Sequence, residues 1–126
     1  MQLLEELTQT PSVPGREDRI REVIKSYVTE KQLFDELTTD PMGSLIGLRR
    51  ARPKAGTDLP ERPVRVMLAA HMDQIGFLVR YISDDGFVRV NPVGGFDTRN
   101  LFARRVRICT AVGDLPGVMN PGGKPI

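Results

Sequence analysis

Tryptophan is absent from this chain of 126 residues, histidine and cysteine occur once each, and the aromatic complement is five phenylalanines and two tyrosines. A lone cysteine, Cys109, rules out an internal disulfide scaffold and suits a reducing, cytoplasmic setting. Its place in the apolar run 106–112 predicts that it packs as a small apolar side chain. No apolar run approaches the roughly 20 residues that cross a bilayer, and the first residues lack the basic-then-apolar order of a secretion signal, so no membrane role is expected. With 18 basic and 16 acidic residues the formal charge is only +2. Such a balance, with so few rings to stack on bases, removes support for nucleic-acid binding. Arg99, Arg104, Arg105 and Arg107 form a local basic cluster, read as a solvated face. The Gly-x-Ser-x-Gly elbow, the Walker loop and the dinucleotide glycine pattern are all missing. Serine catalysis and nucleotide binding lose their usual footing with them.

What remains is organised by period. Leu3, Leu4 and Leu7 mark a short amphipathic helix that Pro11 and Pro14 bring to an end. In residues 16–30, Ile20, Val23, Ile24, Tyr27 and Val28 recur at helical spacing and predict one covered face, with Glu17 and Asp18 favoured in the first turn by the helix dipole. Strand patterns follow at 34–38 and 44–49 around the turn formers Asp40, Pro41 and Gly43, and an exposed connection rich in proline and charge covers 51–63. Residues 76–82 and 87–93 flank Ser83-Asp84-Asp85-Gly86, the mark of a hairpin, and another strand is expected at 106–112, leading toward Val118 and Met119. The Gly94-Gly95 and Gly122-Gly123 pairs read as turns. The first half is thus helix plus mixed sheet and the second nearly all β, with a candidate boundary near Asp73. Residues 120–126 stop in mid-connection, with no closing element, and read as an interruption.

The densest chemical signal is the run VRVMLAAHMDQIG at 64–76. Six of the seven residues at 64–70 are apolar without alternation, the pattern of a strand covered on both faces. It ends in His71 and Asp73, and the carboxyl ends of strands are where open α/β sheets bind ligands. A neutral imidazole is a good ligand for zinc or cobalt, and a carboxylate nearby can accept its other N–H and fix the tautomer. Metal sites need three or four protein ligands, however, and the sequence offers no second histidine, no His-Glu-x-x-His helix and no cysteine pair. Spacing alone leaves open a metal ligand and a strand-end histidine with a merely structural hydrogen bond.

The motifs PSVPGRED (11–18), TTDPMGSLIG (38–47), VMLAAHMDQIGFLV (66–79) and GFVRVNPVGGFD (86–97) together resemble the N-terminal part of the tetrahedral aminopeptidases, a family of co-catalytic metallopeptidases with glutamyl, leucyl and deblocking members. The resemblance runs over nearly all of the chain. It implies a fold of α/β class: the N-terminal part of a mixed-sheet metallopeptidase catalytic domain over 1–73, then the start of a β-rich insertion domain over 74–126 that mediates self-association. It implies His71 as a metal ligand and Asp73 as the catalytic-site carboxylate that orients it. Two divalent metal ions, zinc or cobalt, serve the complete family enzyme, at most one partial site lies in this chain, and the substrates are peptides. Family members commonly carry glutamate at Gln74 and asparagine at Ser44. The remaining family ligands and the general base match no position here, which implies a chain inactive by itself. Beside this stand a non-catalytic module that associates with itself or a paralogue through an open strand edge, and an unrelated small α/β binding module.

Overall fold

The computed structural model describes residues 2–120 and 122. The tail expected as glycine- and proline-rich lies, apart from Gly122, outside the described residues. The chain divides into two compact units, Met1–Asp73 and Gln74–Ile126.

In the first unit, α1 (Gln2–Gln9) and α2 (Asp18–Glu30) follow the apolar periods at 3–7 and 20–28. Ile20 is buried on α2, and Val23, Ile24, Tyr27 and Val28 are half-covered on the same face. Glu17 is the N-cap residue, but its side chain makes no cap hydrogen bond within the helix. Instead its Oε1 accepts the backbone N–H of Gly15 at 2.7 Å, bracing the entry turn.

The other end of α2 closes with two reversed hydrogen bonds, Leu33 N–H to Val28 O and Gln32 N–H to Thr29 O, both 3.0 Å. That pairing requires a left-handed residue after the cap, and Gln32 fills the place at φ 50°. Glycine takes this conformation without the Cβ penalty. Gln32→Gly is therefore expected to stabilise the first unit by about 1 kcal/mol, read as a higher urea midpoint of the helical circular-dichroism signal.

Strands β1 (Glu36–Thr39) and β2 (Leu45–Leu48) form an antiparallel hairpin, with Glu36 opposite Leu48 and Thr39 opposite Leu45. Gly47 is a site of close approach. A Cβ built there would lie 2.6 Å from the ring of Phe34, so the missing side chain is what lets the ring lie on β2. Beyond the hairpin, Arg50 pairs with Glu36, and Arg52 with Asp35 at 3.0 Å. Residues 51–63 are exposed, and outside strands, as their composition suggests.

Residues 64–70 depart from expectation. They form no strand, and Val64, Val66, Met67 and Leu68 are 79–93% exposed. The reason is physical: a continuous apolar run becomes a doubly covered strand only where neighbouring strands and helices supply both the ladder and the cover, and no described segment does so. The mixed sheet is likewise replaced by antiparallel pairs alone, in three separate two-stranded ladders among the described residues.

The second unit holds two of those ladders. Strands β3 (Gly76–Ile82) and β4 (Val88–Val93) form the hairpin read from Asp85-Gly86, with a bulge between Val79 and Tyr81. Ser83 ties the turn by accepting Phe87 N–H at 3.0 Å. The rings of Phe77 and Phe96 stack at 4.4 Å between centroids. A short 3-10 turn at Thr98–Leu101 leads to β5 (Arg104–Thr110) and β6 (Gly113–Met119), paired antiparallel throughout. Two boundaries move. Val112 is in the turn and fully open to solvent, and the last strand begins at Gly113, ahead of Val118. Cys109 is exposed rather than packed, because the outward face of β5 alternates Arg105, Arg107 and Cys109. The four arginines of the basic cluster are exposed, and Arg99 is held by Asp97 at 2.9 Å.

The accessible surface is 11380 Å². Two independent globules of half this mass would expose about 8,000 Å² by the usual size scaling. Much apolar surface is therefore uncovered, and the second unit contains no buried residue among those described.

Candidate functional site

His71 and Asp73 both close the first unit, at the end of the extended apolar segment. The carboxyl-end-of-strand placement is corrected here, since residues 64–70, which lead into them, form no strand. Their mutual geometry is local and definite. His71 Nδ1 lies 2.9 Å from the backbone oxygen of Asp73 and 3.2 Å from its Oδ1. Both partners are acceptors, which in the neutral ring assigns the hydrogen to Nδ1 and leaves Nε2 as the lone-pair nitrogen. The His71 side chain is 83% exposed, so that nitrogen is open.

Three segments of the first unit surround a hollow beside this pair: Glu17 at the start of α2, residues 42–45 at the β1–β2 turn, and residues 70–73. Met42, Leu45 and Met72 give apolar wall, Glu17 and Asp73 give carboxylates, and Ser44 a hydroxyl. The turn is braced from within. Asp40 Oδ1 accepts Ser44 N–H at 2.8 Å, Asp40 N–H donates to Ser44 O at 3.1 Å, and Gly43 N–H donates to Asp40 O at 3.0 Å. Arg21 then ties the turn to α2, its Nη1 donating to Gly43 O at 3.1 Å.

The sequence pointed to His71 and Asp73, and the structure brings them together. It missed Glu17, Met42 and Ser44 as neighbours of the pair, and Arg21 as their link. The DPMG turn was visible, but nothing local says which distant segment it faces.

The Ser44 N–H holds the Asp40 carboxyl below the ordinary carboxylate range. Asp35, at the base of the same hairpin, is lowered by the Arg50 N–H and then by the Arg52 guanidinium. A carboxylate whose folded pKa is depressed adds stability that is full above the unfolded value, about 3.9, and is lost as pH falls through the folded value. The hairpin is thus expected to loosen below about pH 4. Amide dispersion of residues 36–48 against pH checks this, and Asp35→Asn with Asp40→Asn should flatten the dependence.

As a metal site the arrangement is partial. The open Nε2 and the oriented imidazole fit a soft-to-borderline divalent ion, but among the described residues no three histidine, cysteine or acidic side chains converge.

The sequence profile of the M42 glutamyl aminopeptidase family matches residues 55–124. The chain belongs to that family. It is 36% identical over 110 residues to a putative aminopeptidase of Acetivibrio thermocellus, an alignment that takes in 87% of this chain and 30% of that protein. An aminopeptidase from the archaeon Desulfurococcus kamchatkensis superposes with a TM-score of 0.78 at 34% identity, over 95% of this chain and 31% of that one. The TET1 peptidase of Pyrococcus horikoshii, which can assemble into a tetrahedron or a large octahedral shell, gives 0.73 at 34% identity, over 99% of this chain and 34% of its own. The chain therefore spans about 30% of the length of the curated relatives it matches, and its small α/β fold with antiparallel strands corresponds to part of theirs.

Proposed function

We propose that these residues serve a metal-dependent aminopeptidase, as its N-terminal metal-ligand segment, and that the 126-residue chain does not turn over peptides by itself. The observation that carries this reading is the His71 ring, held by Asp73 with Nε2 open, within a chain of the M42 family. His71 would hold one of two divalent ions, zinc or cobalt, and Asp73 would keep its tautomer. Bound divalent ions of this kind acidify water and polarise a carbonyl oxygen. The chain's own contribution is narrower: Asp73 retains the hydrogen on Nδ1, and the segments at 42–45 and 70–73 border the hollow beside the ring. Two further parts of the proposal are the division into a catalytic portion at 1–73 and a β-rich insertion portion at 74–126.

Dialysis of the chain against zinc or cobalt, followed by metal analysis and ring-resonance NMR, tests the reading. Weak metal retention with displaced His71 signals is expected, and no release of leucine from a leucine anilide. Unmoved His71 signals would overturn the ligand assignment, and release at an enzymatic rate would overturn the inactivity of the chain.

A second reading draws on the open hairpin edges of β3 to β6, where Tyr81, Ile82 and Phe87 are 53–71% exposed. We infer self-association through that unit, as unpaired strands invite it. Light scattering should report a dimer or larger species, and a monodisperse monomer would count against it.

A further inference from the structure

Arg21 is the one long cation on α2 that turns inward. Its side chain is 15% exposed, while its ion-pair partner Asp18, one turn earlier, is 75% exposed. A solvated helix-surface pair would leave both ends open, so something other than Asp18 draws the guanidinium down. That something is the carbonyl of Gly43, which accepts from Nη1 across a separation of 22 residues. The backbone on the other side takes a conformation that favours glycine. Gly43 has φ +91°, and a Cβ placed there would stand 2.9 Å from Arg21 Nη1.

The turn that Arg21 grips is braced in itself by the three Asp40 bonds to Gly43 and Ser44. Helix α2 is the other partner, and its first residue boundary places Glu17 in the same hollow as Met42, Gly43 and Ser44. Arg21 is therefore a side-chain tie between two of the three walls that surround His71.

We propose that Arg21 is a positioning residue: by holding the Gly43 carbonyl it sets the spacing of the 42–45 turn from the start of α2, and so the width of the hollow that receives the first residue of a peptide beside His71. This rests on the aminopeptidase reading for the identity of the occupant, but the tie itself does not. Lysine keeps a cation with N–H donors on a compact head that lacks the guanidinium fork, whereas methionine keeps only the apolar stem.

The test is amide NMR of the 126-residue chain, wild type, Arg21→Met and Arg21→Lys, titrated with L-leucinamide in the presence of zinc. In the wild type, amides of Gly43, Ser44 and His71 are expected to move together. In Arg21→Met the response at Gly43 and Ser44 should weaken about tenfold in apparent affinity, as for one lost charge-assisted hydrogen bond, while His71 still responds to zinc. Arg21→Lys should recover part of the loss, which a general loss of helix structure would not do. Equal responses in wild type and Arg21→Met would overturn the positioning role and leave the aminopeptidase reading standing. A wild type in which zinc moves His71 but leucinamide moves nothing would overturn the occupant, and with it the proposal. Should Arg21→Met lose its helical circular dichroism, Gly43→Ala, which gives up the same carbonyl contact with Arg21 intact, decides: a weakened response at Ser44 and His71 supports the tie, and a wild-type response overturns it.

Discussion

Gly43→Ala is expected to destabilise the first unit by about 2 to 3 kcal/mol, a large effect for one methyl group on a half-covered turn. Two costs coincide at this position. An L side chain at φ +91° meets its own backbone, a strain of about 1 to 2 kcal/mol. The new Cβ also approaches Arg21 Nη1 to 2.9 Å, and the cheapest relief is for the guanidinium to withdraw and give up the Gly43 carbonyl. That bond is charge-assisted but partly open to solvent, so its loss adds about 1 kcal/mol. Urea unfolding followed by the α2 circular dichroism gives the number. The double variant Arg21→Met/Gly43→Ala separates the two costs, because the backbone strain persists after Arg21 is gone while the contact does not. A shift below about 0.5 kcal/mol in Gly43→Ala would mean that the turn relaxes to ordinary backbone at no expense, and the clamp would lose its significance.

The elements that could be read from the sequence are those whose cause is local. Helix α2 follows from five apolar residues at helical spacing, and the β3–β4 hairpin from Asp85-Gly86 between two strand-like runs, because in each case the signal and the contact lie within a few residues. Residues 64–70 show the opposite case. Their composition describes a strand under full cover, but cover is a property of the surroundings, and among the described residues nothing pairs with them. Cys109 was misplaced for the same reason: the apolar run 106–112 supplied no information on which face of β5 is covered, and Arg105 and Arg107 on the same side show that it is the open one. Arg21 is hidden more deeply. On a helical wheel it borders Val28 at the edge of the apolar face of α2, and only the fold brings it to a carbonyl 22 residues away.

The site was legible to a comparable degree. The pair His71 and Asp73 could be named because two residues of separation let an imidazole nitrogen reach its neighbour's oxygens whatever the wider fold. The hollow could not, since its walls come from three segments separated by tens of residues. Its apolar part depends on Met42, Leu45 and Met72, which sequence patterns treat as unremarkable core or turn positions. The arrangement also explains why an exposed histidine is well oriented. The backbone oxygen of Asp73 fixes the ring from one side, so the orientation needs no burial.

His71→Ala is expected to abolish metal retention at this position, and Asp73→Asn to weaken it about tenfold. The inequality follows from the geometry. His71 carries the open nitrogen, and no second imidazole exists in the sequence to replace it. Asp73 acts on that nitrogen only through Nδ1, and it does so twice, by its backbone oxygen at 2.9 Å and by Oδ1 at 3.2 Å. Asparagine leaves the nearer contact and a neutral acceptor in place of the carboxylate, so the tautomer survives and only the electrostatic support to Nε2 declines. Losses from removing such supporting groups span about 10- to 100-fold in metal affinity, and the surviving backbone contact puts this one at the low end. Zinc titrations of the three proteins, followed by the amides of His71 and Met72, give the ordering. Equal affinity for His71→Ala and wild type would remove the imidazole as a ligand. A loss in Asp73→Asn as complete as in His71→Ala would instead show the carboxylate binding metal directly, in place of holding the ring.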